Sequence, residues 1–295
     1  MDTLTIHDNE PEYPVRLRQC PDRPSVLYGI GNLNLNEGPF LAVVGTRQAT
    51  ELGKEVTRNM ILALAERIPT LTIVSGLAYG IDIAAHKAAL EAGLPTIAVL
   101  GHGLDRIYPP LHRPVAVKML TNGGLVTEYP LNAPVSPHNF SDRDRIIAAL
   151  ADATLVIESP FKGGSLITAR MASDYGRPLF AIPGRVSDKN SEGCNNLIRD
   201  GKAQLVTSAE DIIRFMQWET QPLSTQMEME NLFDTLDEIE QKLLIAIRKE
   251  ENGIHINELV LNLKEPYSTV SATLMMLELK GFARSLPGGI YRALK

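Results

Sequence analysis

Three glycine-bearing loops carry the residue types that hold a phosphate. Val44-Gly45-Thr46-Arg47 closes an apolar run: the glycine permits a tight turn, the next helix presents free N–H groups, and Arg47 adds a forked cation. Ser75-Gly76-Leu77-Ala78-Tyr79-Gly80-Ile81-Asp82 sets a serine and two glycines at a helix start, which builds a backbone-lined anion site. In Ser159-Pro160-Phe161-Lys162-Gly163-Gly164-Ser165, Lys162 adds charge, Gly163 and Gly164 allow close backbone approach, and Ser165 is a natural N-cap, with Thr168 one turn on. The G-x-x-x-x-G-K-[ST] spacing is missing, so no nucleoside triphosphatase is implied. Each loop alone also fits a plain turn between strand and helix. Together, on one sheet edge, they favour a joint anion site.

A fourth stretch, Asn139-Phe140-Ser141-Asp142-Arg143-Asp144-Arg145, sets an aromatic beside two arginines, which suits base stacking with phosphate pairing. Ser141 and Asp144 fit a helix start of the capping-box type, and Asp142 and Asp144 offset the arginines. Asp82 and His86 stand four apart, and a structural pairing at the helix entry is favoured over an acid–base dyad. The long loop 183–204 carries Arg185, Lys189, Asn195, Asn196, Arg199 and Lys202, with a short helix expected over 193–200. The six histidines show no metal-ligand spacing, and there is no G-x-S-x-G turn. No nucleophile has an evident base beside it. The pattern favours a phosphate-rich ligand held rather than converted, with no cofactor.

These loops need a frame. Short Val/Ile/Leu-rich runs at 40–45, 71–76, 96–101, 124–129, 153–159 and 178–184 have the look of strands buried on both faces. Helical patterns at 51–67, 78–92, 111–122, 141–150 and 165–176 alternate with them. That alternation predicts an α/β fold, a Rossmann-like domain with a mainly parallel sheet over 39–216. Residues 1–38, with prolines at 11, 14, 21 and 24, are expected as an irregular leader packing on that core. Residues 217–233 have the character of a linker. From 234 to 295, three helices (236–250, 255–262, 267–280) and a hairpin around Pro287-Gly288-Gly289 predict a small winged-helix domain.

Composition narrows the partner. With 29 basic and 35 acidic residues among 295, the formal charge of −6 excludes a broad basic surface, so a nucleic-acid site must be a local patch. No 18-residue apolar run predicts a membrane span, and the acidic start MDTLTIHDNE has no signal-peptide core. Two distant cysteines, Cys20 and Cys194, fit a reducing cytoplasm.

Taken in order, VVGTR (43–47), SGLAYGID (75–82), GGSLITA (163–169), AIPGR (181–185) and GCNNLIRDG (193–201) resemble the DNA-processing protein A family, DprA or Smf. Residues 13–32 and 140–147 fit it too, and the likeness runs from about 13 to 216. The resemblance implies an extended Rossmann-like domain that binds single-stranded DNA without sequence preference. It also implies a homodimer that loads RecA recombinase onto incoming strands during natural transformation, without enzymatic activity. The DNA-contacting positions carried across are Arg47, Ser75, Gly76, Asn139, Phe140, Arg143, Arg145, Lys162, Gly163, Gly164, Ser165 and Thr168. On that reading Arg47 and Lys162 hold phosphates, amides at 163–165 cap another, and Phe140 faces a base.

Departures from the family pattern are Asp144, where asparagine is usual, and Gly201-Lys202, where Gly-Ala is usual. Many members also carry a helical domain ahead of the Rossmann-like one, whereas this sequence begins at the leader. The C-terminal segment resembles the family's small terminal domain. Its 8 basic and 11 acidic residues over 221–295, and the apolar centre of 267–280 (Leu274, Met275, Met276, Leu277), argue against major-groove reading. A protein-contact or dimer-supporting role is expected of it instead of transcriptional regulation. The competing enzymatic reading is a nucleotide phosphoribohydrolase of the lysine-decarboxylase-like or cytokinin-activating type. There Arg170 falls near the place of a catalytic glutamate, so Asp82 or Glu158 would have to substitute.

Overall fold

The computed structural model describes residues 3–220, 237–250, 253–280, 282–286 and 288–293. The chain divides into two compact units, 1–221 and 222–295. Residues 221–233 of the expected linker, and Pro287 of the expected hairpin turn, lie outside the described residues.

In the first unit, nine strands form one sheet in the order β1-β2-β6-β5-β4-β3-β7-β8-β9. The strands are β1 (Leu4–His7), β2 (Val26–Asn32), β3 (Phe40–Val44), β4 (Thr72–Ser75), β5 (Thr96–Leu100), β6 (Gly123–Thr127), β7 (Ala153–Val156), β8 (Leu179–Ala181) and β9 (Gln204–Leu205). From β6 through β9 every pairing is parallel. All five residues of β3 are buried, as a strand covered on both faces must be. Phe40, Ala42 and Val44 pack on one side. Leu41 and Val43 pack on the other, the period-2 alternation of a strand. Helices α2 (Glu51–Arg67) and α3 (Ile81–Glu91) cover the second side through Met60, Ile61, Leu64, Ile81 and Ala85. Helix α5 (Pro137–Leu150) covers the first through Ile146, Ile147 and Leu150. Helices α4 (Arg113–Met119), α6 (Ser165–Asp174), α7 (Glu192–Arg199) and α8 (Ala209–Met216) complete the layers.

The leader is not irregular. β2 pairs antiparallel with β6, and β1 extends the sheet beyond it. Between them runs the short helix α1 (Val15–Arg18). Its Arg16 donates to Asp152 at 2.6 Å and lies 4.4 Å from the centre of the Phe40 ring. The prolines that suggested irregularity occupy the turns between these elements.

The strand order reverses between β3 and β7. In an open parallel sheet the crevice at the carboxyl ends of two such strands is where ligands bind, because the following loops diverge there.

Among the described residues, the second unit has three helices, Glu238–Arg248, Ile256–Leu263 and Tyr267–Leu279, with a three-stranded sheet in the order β10-β12-β11. These strands are β10 (Ile254–His255), β11 (Ala283–Leu286) and β12 (Ile290–Ala293). Leu243, Ile247, Leu259, Val270, Leu274 and Leu277 form its own core. The helix–helix–helix–hairpin arrangement is that of a winged helix.

A candidate nucleic-acid interface at the strand crossover

A cavity of about 460 Å³ opens at the ends of β3 and β7. Gly45, Thr46, Arg47, Asp82, Arg143, Asp144, Gly163, Gly164, Ser165 and Thr168 line it. The three glycine loops and α5 do converge. Two close approaches seat the first loop. A Cβ on Gly45 would meet Ile81 at 2.4 Å, and one on Gly80, whose φ is +76°, would meet the Thr46 carbonyl at 2.1 Å. Thr46 donates its amide to the Glu158 carbonyl at 2.7 Å, which ties the end of β3 to the end of β7.

Arg47 is exposed and projects at the mouth. Its guanidinium lies 5.7 Å from the centre of the Phe140 ring, and that ring sits 5.6 Å from Tyr108. Lys162, also exposed, stands beside the cavity rather than in its lining. Neither cation forms an ion pair among the described residues, so both can pair with a ligand, although the Asp144 carboxyl is close enough to feel Arg47.

Arg143 is different. It is only 3% exposed and donates from Nη1 to the Val99 carbonyl at 3.1 Å. Its Nε lies 3.4 Å from the Asp144 carboxylate and makes no hydrogen bond. The space for it comes from Gly76, where a Cβ would stand 1.5 Å from Nη1. Gly76 is therefore a socket for this guanidinium and not a close approach to ligand. A buried cation needs buried anions. Asp82 supplies one, accepting from the Gly76 and Ala78 amides at 3.1 and 3.4 Å. Burial raises its pKa, opposed by Arg143 and those amides. Asp144 supplies the other. Burial pushes it up to about 6, with Arg143 and Arg47 pulling down and Asp82 pushing up.

Several expected contacts are redirected. Ser75 is fully buried and donates to the Val43 carbonyl at 2.6 Å, stitching β4 to β3. Ser165 is not an N-cap: it is the first residue of α6, Gly164 caps without a side chain, and Ser165 Oγ donates to Ser159 Oγ at 2.9 Å. The Gly163 amide is spent on the Pro160 carbonyl at 3.0 Å. The amides at the start of α6 beyond it, at Gly164 and Ser165, are of the kind a helix leaves without internal partners. Gly164 has open space where a Cβ would be, and Thr168 is buried in the cavity wall.

Helix α5 begins at Pro137, capped by Ser136, a turn earlier than Ser141. Asp144 is therefore in mid-helix and aims at the cavity instead of capping. Asn139 donates to the Pro134 carbonyl at 2.9 Å, pinning the incoming loop, and is not in the cavity lining. Arg145 is the clearest correction. It is held by Glu128 through two bonds of 2.8 and 2.7 Å, with Asp22 at 3.9 Å, and is absent from the cavity. The reason is helical geometry: at about 100° per residue, positions two apart face nearly opposite ways. The same geometry puts Phe140, Arg143, Asp144 and Ile147 on one face, and this spacing was the available signal for Asp144 as a cavity residue. Tyr108 and Gln48 carried no such signal.

Asp82 and His86 do not pair. His86 Nδ1 lies 2.8 Å from Thr96 Oγ1, which itself donates to the Ile73 carbonyl, so the imidazole is the donor. Burial, with Arg143 and His112 adding to it, pushes His86 down to about 3. Glu158 lies outside the cavity lining and accepts from the Thr50 amide and hydroxyl at 2.9 and 2.5 Å.

In the second unit, Leu274 and Leu277 are core, while Met275 and Met276 are exposed on the same helix. The helix itself carries no Lys or Arg. Lys280, at its end, is bound to Glu240 at 2.6 Å.

The fold and the site define a class: a Rossmann-like domain with an anion cavity at its strand crossover, followed in the chain by a winged helix. Residues 3–217 match the family described as DNA recombination-mediator protein A, and residues 230–289 match the DprA winged helix domain. The chain belongs to the DprA/Smf family. It is 38% identical to Protein Smf of Escherichia coli over 95% of this chain and 75% of that one. Its fold superposes on the crystal structure of DNA processing protein A from Streptococcus pneumoniae with a TM-score of 0.67 and 39% identity, over 72% of this chain and 73% of that one. A third relative, DNA processing protein A from Helicobacter pylori, has a structure described as giving insight into its single-stranded DNA binding mode. It matches with a TM-score of 0.65 and 30% identity, over 73% of this chain and 95% of that one. No helix among the described residues is long and apolar enough to cross a membrane.

Proposed function

We propose that this protein binds single-stranded DNA without sequence preference at the crossover cavity and, as a cytoplasmic homodimer, loads RecA recombinase onto that strand during natural transformation. The observation that carries the DNA reading is Arg47: an exposed cation with no ion pair among the described residues, over the Phe140 ring, at the mouth of a cavity walled by helix-start amides. A phosphate on Arg47 and the α6 amides, with a base against Phe140, uses contacts that every nucleotide offers. The single-stranded DNA bound by the Helicobacter pylori relative supports the same ligand. Membership of a family described as recombination mediators supports the RecA step.

The protein holds its ligand without converting it. Asp82 is occupied by two backbone amides and Glu158 by Thr50, which supports binding over the phosphoribohydrolase reading. The test is binding of labelled oligothymidine and of duplex across a salt series. Single strand is preferred, and log affinity falls against log salt with a slope of about −0.7 per phosphate contacted. Equal affinity for duplex overturns the reading. For the RecA step, RecA assembles faster on a labelled strand with the protein than without it, and an unchanged rate removes that half.

A further inference from the structure

A second cavity, of about 870 Å³, lies between α2, α3 and the start of α4, and Arg47 lines both it and the crossover cavity. The two are thus neighbours across one guanidinium. The second cavity is a trough with Lys54, Arg58 and Lys87 along it and Glu91 as its one acid. Arg58 is chelated by Glu91 and is set aside. Lys87 is exposed and has no acidic partner among the described residues. Lys54 reaches Glu51 at 2.6 Å, but Glu51 is 91% exposed, and an exposed pair of this kind exchanges readily for a phosphate.

Tyr79 stands at the junction. Gly80 has no room for a Cβ against Thr46 and Arg47, so it brings Tyr79 directly beside the Arg47 turn. Its ring meets His112 edge-on at 4.9 Å, and His112 is itself buried and bonded to the Leu77 carbonyl at 2.7 Å. Even so, Tyr79 is 46% exposed. An aromatic ring braced from behind and open in front is a stacking platform. Another large cavity, of about 920 Å³ beside Glu158, competes as an exit. It shares no lining residue with the crossover cavity, and its Arg185 and Lys189 are matched by Glu158 and Asp188. Charge and continuity both favour the trough.

We propose that a strand seated in the crossover cavity continues over Arg47 into this trough, where Tyr79 stacks a base and Lys87 and Lys54 take neighbouring phosphates. This rests on the single-stranded DNA reading above. The test compares oligothymidines of about 2 and about 20 nucleotides, the shorter matched to what the crossover cavity can hold. Tyr79→Ala weakens the long oligonucleotide about tenfold and leaves the short one unchanged, while Tyr79→Phe behaves as wild type. Lys54→Ala with Lys87→Ala lowers the salt slope by about 1.4 on the long strand only. Wild-type affinity of Tyr79→Ala and of the double variant for the long strand overturns the proposal. So does an equal loss on both lengths, which would place Tyr79 within the cavity's own machinery. In either case, short-strand binding that still depends on Arg47 leaves the DNA reading standing. If wild type binds neither length, both readings fall.

Discussion

The crossover cavity and the groove-facing helix of the winged helix present opposite surfaces. At the cavity, Arg47 on its lining and Lys162 beside it are exposed with no ion pair among the described residues, near an aromatic ring and helix-start amides. In the winged helix, the helix that would enter a major groove exposes Met275 and Met276, and the lysine at its end is bound to Glu240. The lesson is that a nucleic-acid fold is not a nucleic-acid site. Phosphate binding needs cations whose charge is not already neutralised, and base reading needs donors and acceptors on the exposed face. An exposed pair of methionines suits an adaptable apolar contact instead.

The largest effect that sharpens this comparison is at Gly76. Gly76→Ala puts a methyl into the space of the Arg143 guanidinium and separates a buried cation from Asp82 and Asp144. Stability falls by about 3 kcal/mol, read from the urea midpoint. A variant as stable as wild type would show that Arg143 has room to move.

Next comes the contrast itself. Arg47→Ala weakens single-stranded DNA binding about tenfold on every sequence, whereas removing residues 222–295 changes it less than about twofold. If the removal costs as much as Arg47→Ala, the winged helix is a DNA-binding unit and the comparison breaks.

The smallest effect is a pH dependence confined to the cavity. Asp144 is held up to about 6, so lowering the pH through that value removes a negative charge beside Arg143 and Arg47. Binding tightens severalfold between about pH 7.5 and about pH 5.5. Asp144→Asn binds tighter at the higher pH and is flat across the range. A pH profile unchanged by Asp144→Asn assigns the titration elsewhere. Stability follows the same sign. The folded pKa is raised, so the contribution is present at low pH and is lost as pH rises from the ordinary carboxylate value through about 6.

Much of the frame was legible. Six apolar runs became six parallel strands, and α2 fell at 51–67 as its period predicts, because burial on both faces and a 3.6-residue repeat leave direct marks on composition. The leader was misjudged because β1 is only four residues long and prolines fill the stretch between it and β2. β2 is held as a strand by pairing with β6, which is distant in sequence, and β1 by pairing with β2. At the site, the glycine loops were legible as turns, yet what each glycine makes room for was not. Gly76 looked like an approach to phosphate and is a socket for an arginine 67 positions later.

By itself the sequence determined the alternation of strands and helices, the parallel sheet that gathers the loops at one edge, and the residue types available there. It also contained the helical spacing that separates Arg143 from Arg145. Which cations stay free was decided only by the tertiary structure. Arg145 is bonded to Glu128 and Arg143 stands 3.4 Å from Asp144, while Arg47 and Lys162 form no ion pair among the described residues. The physical reason is that neutralisation acts over a few ångströms in space, whatever the separation along the chain, so a count of charges cannot show where an unpaired one remains.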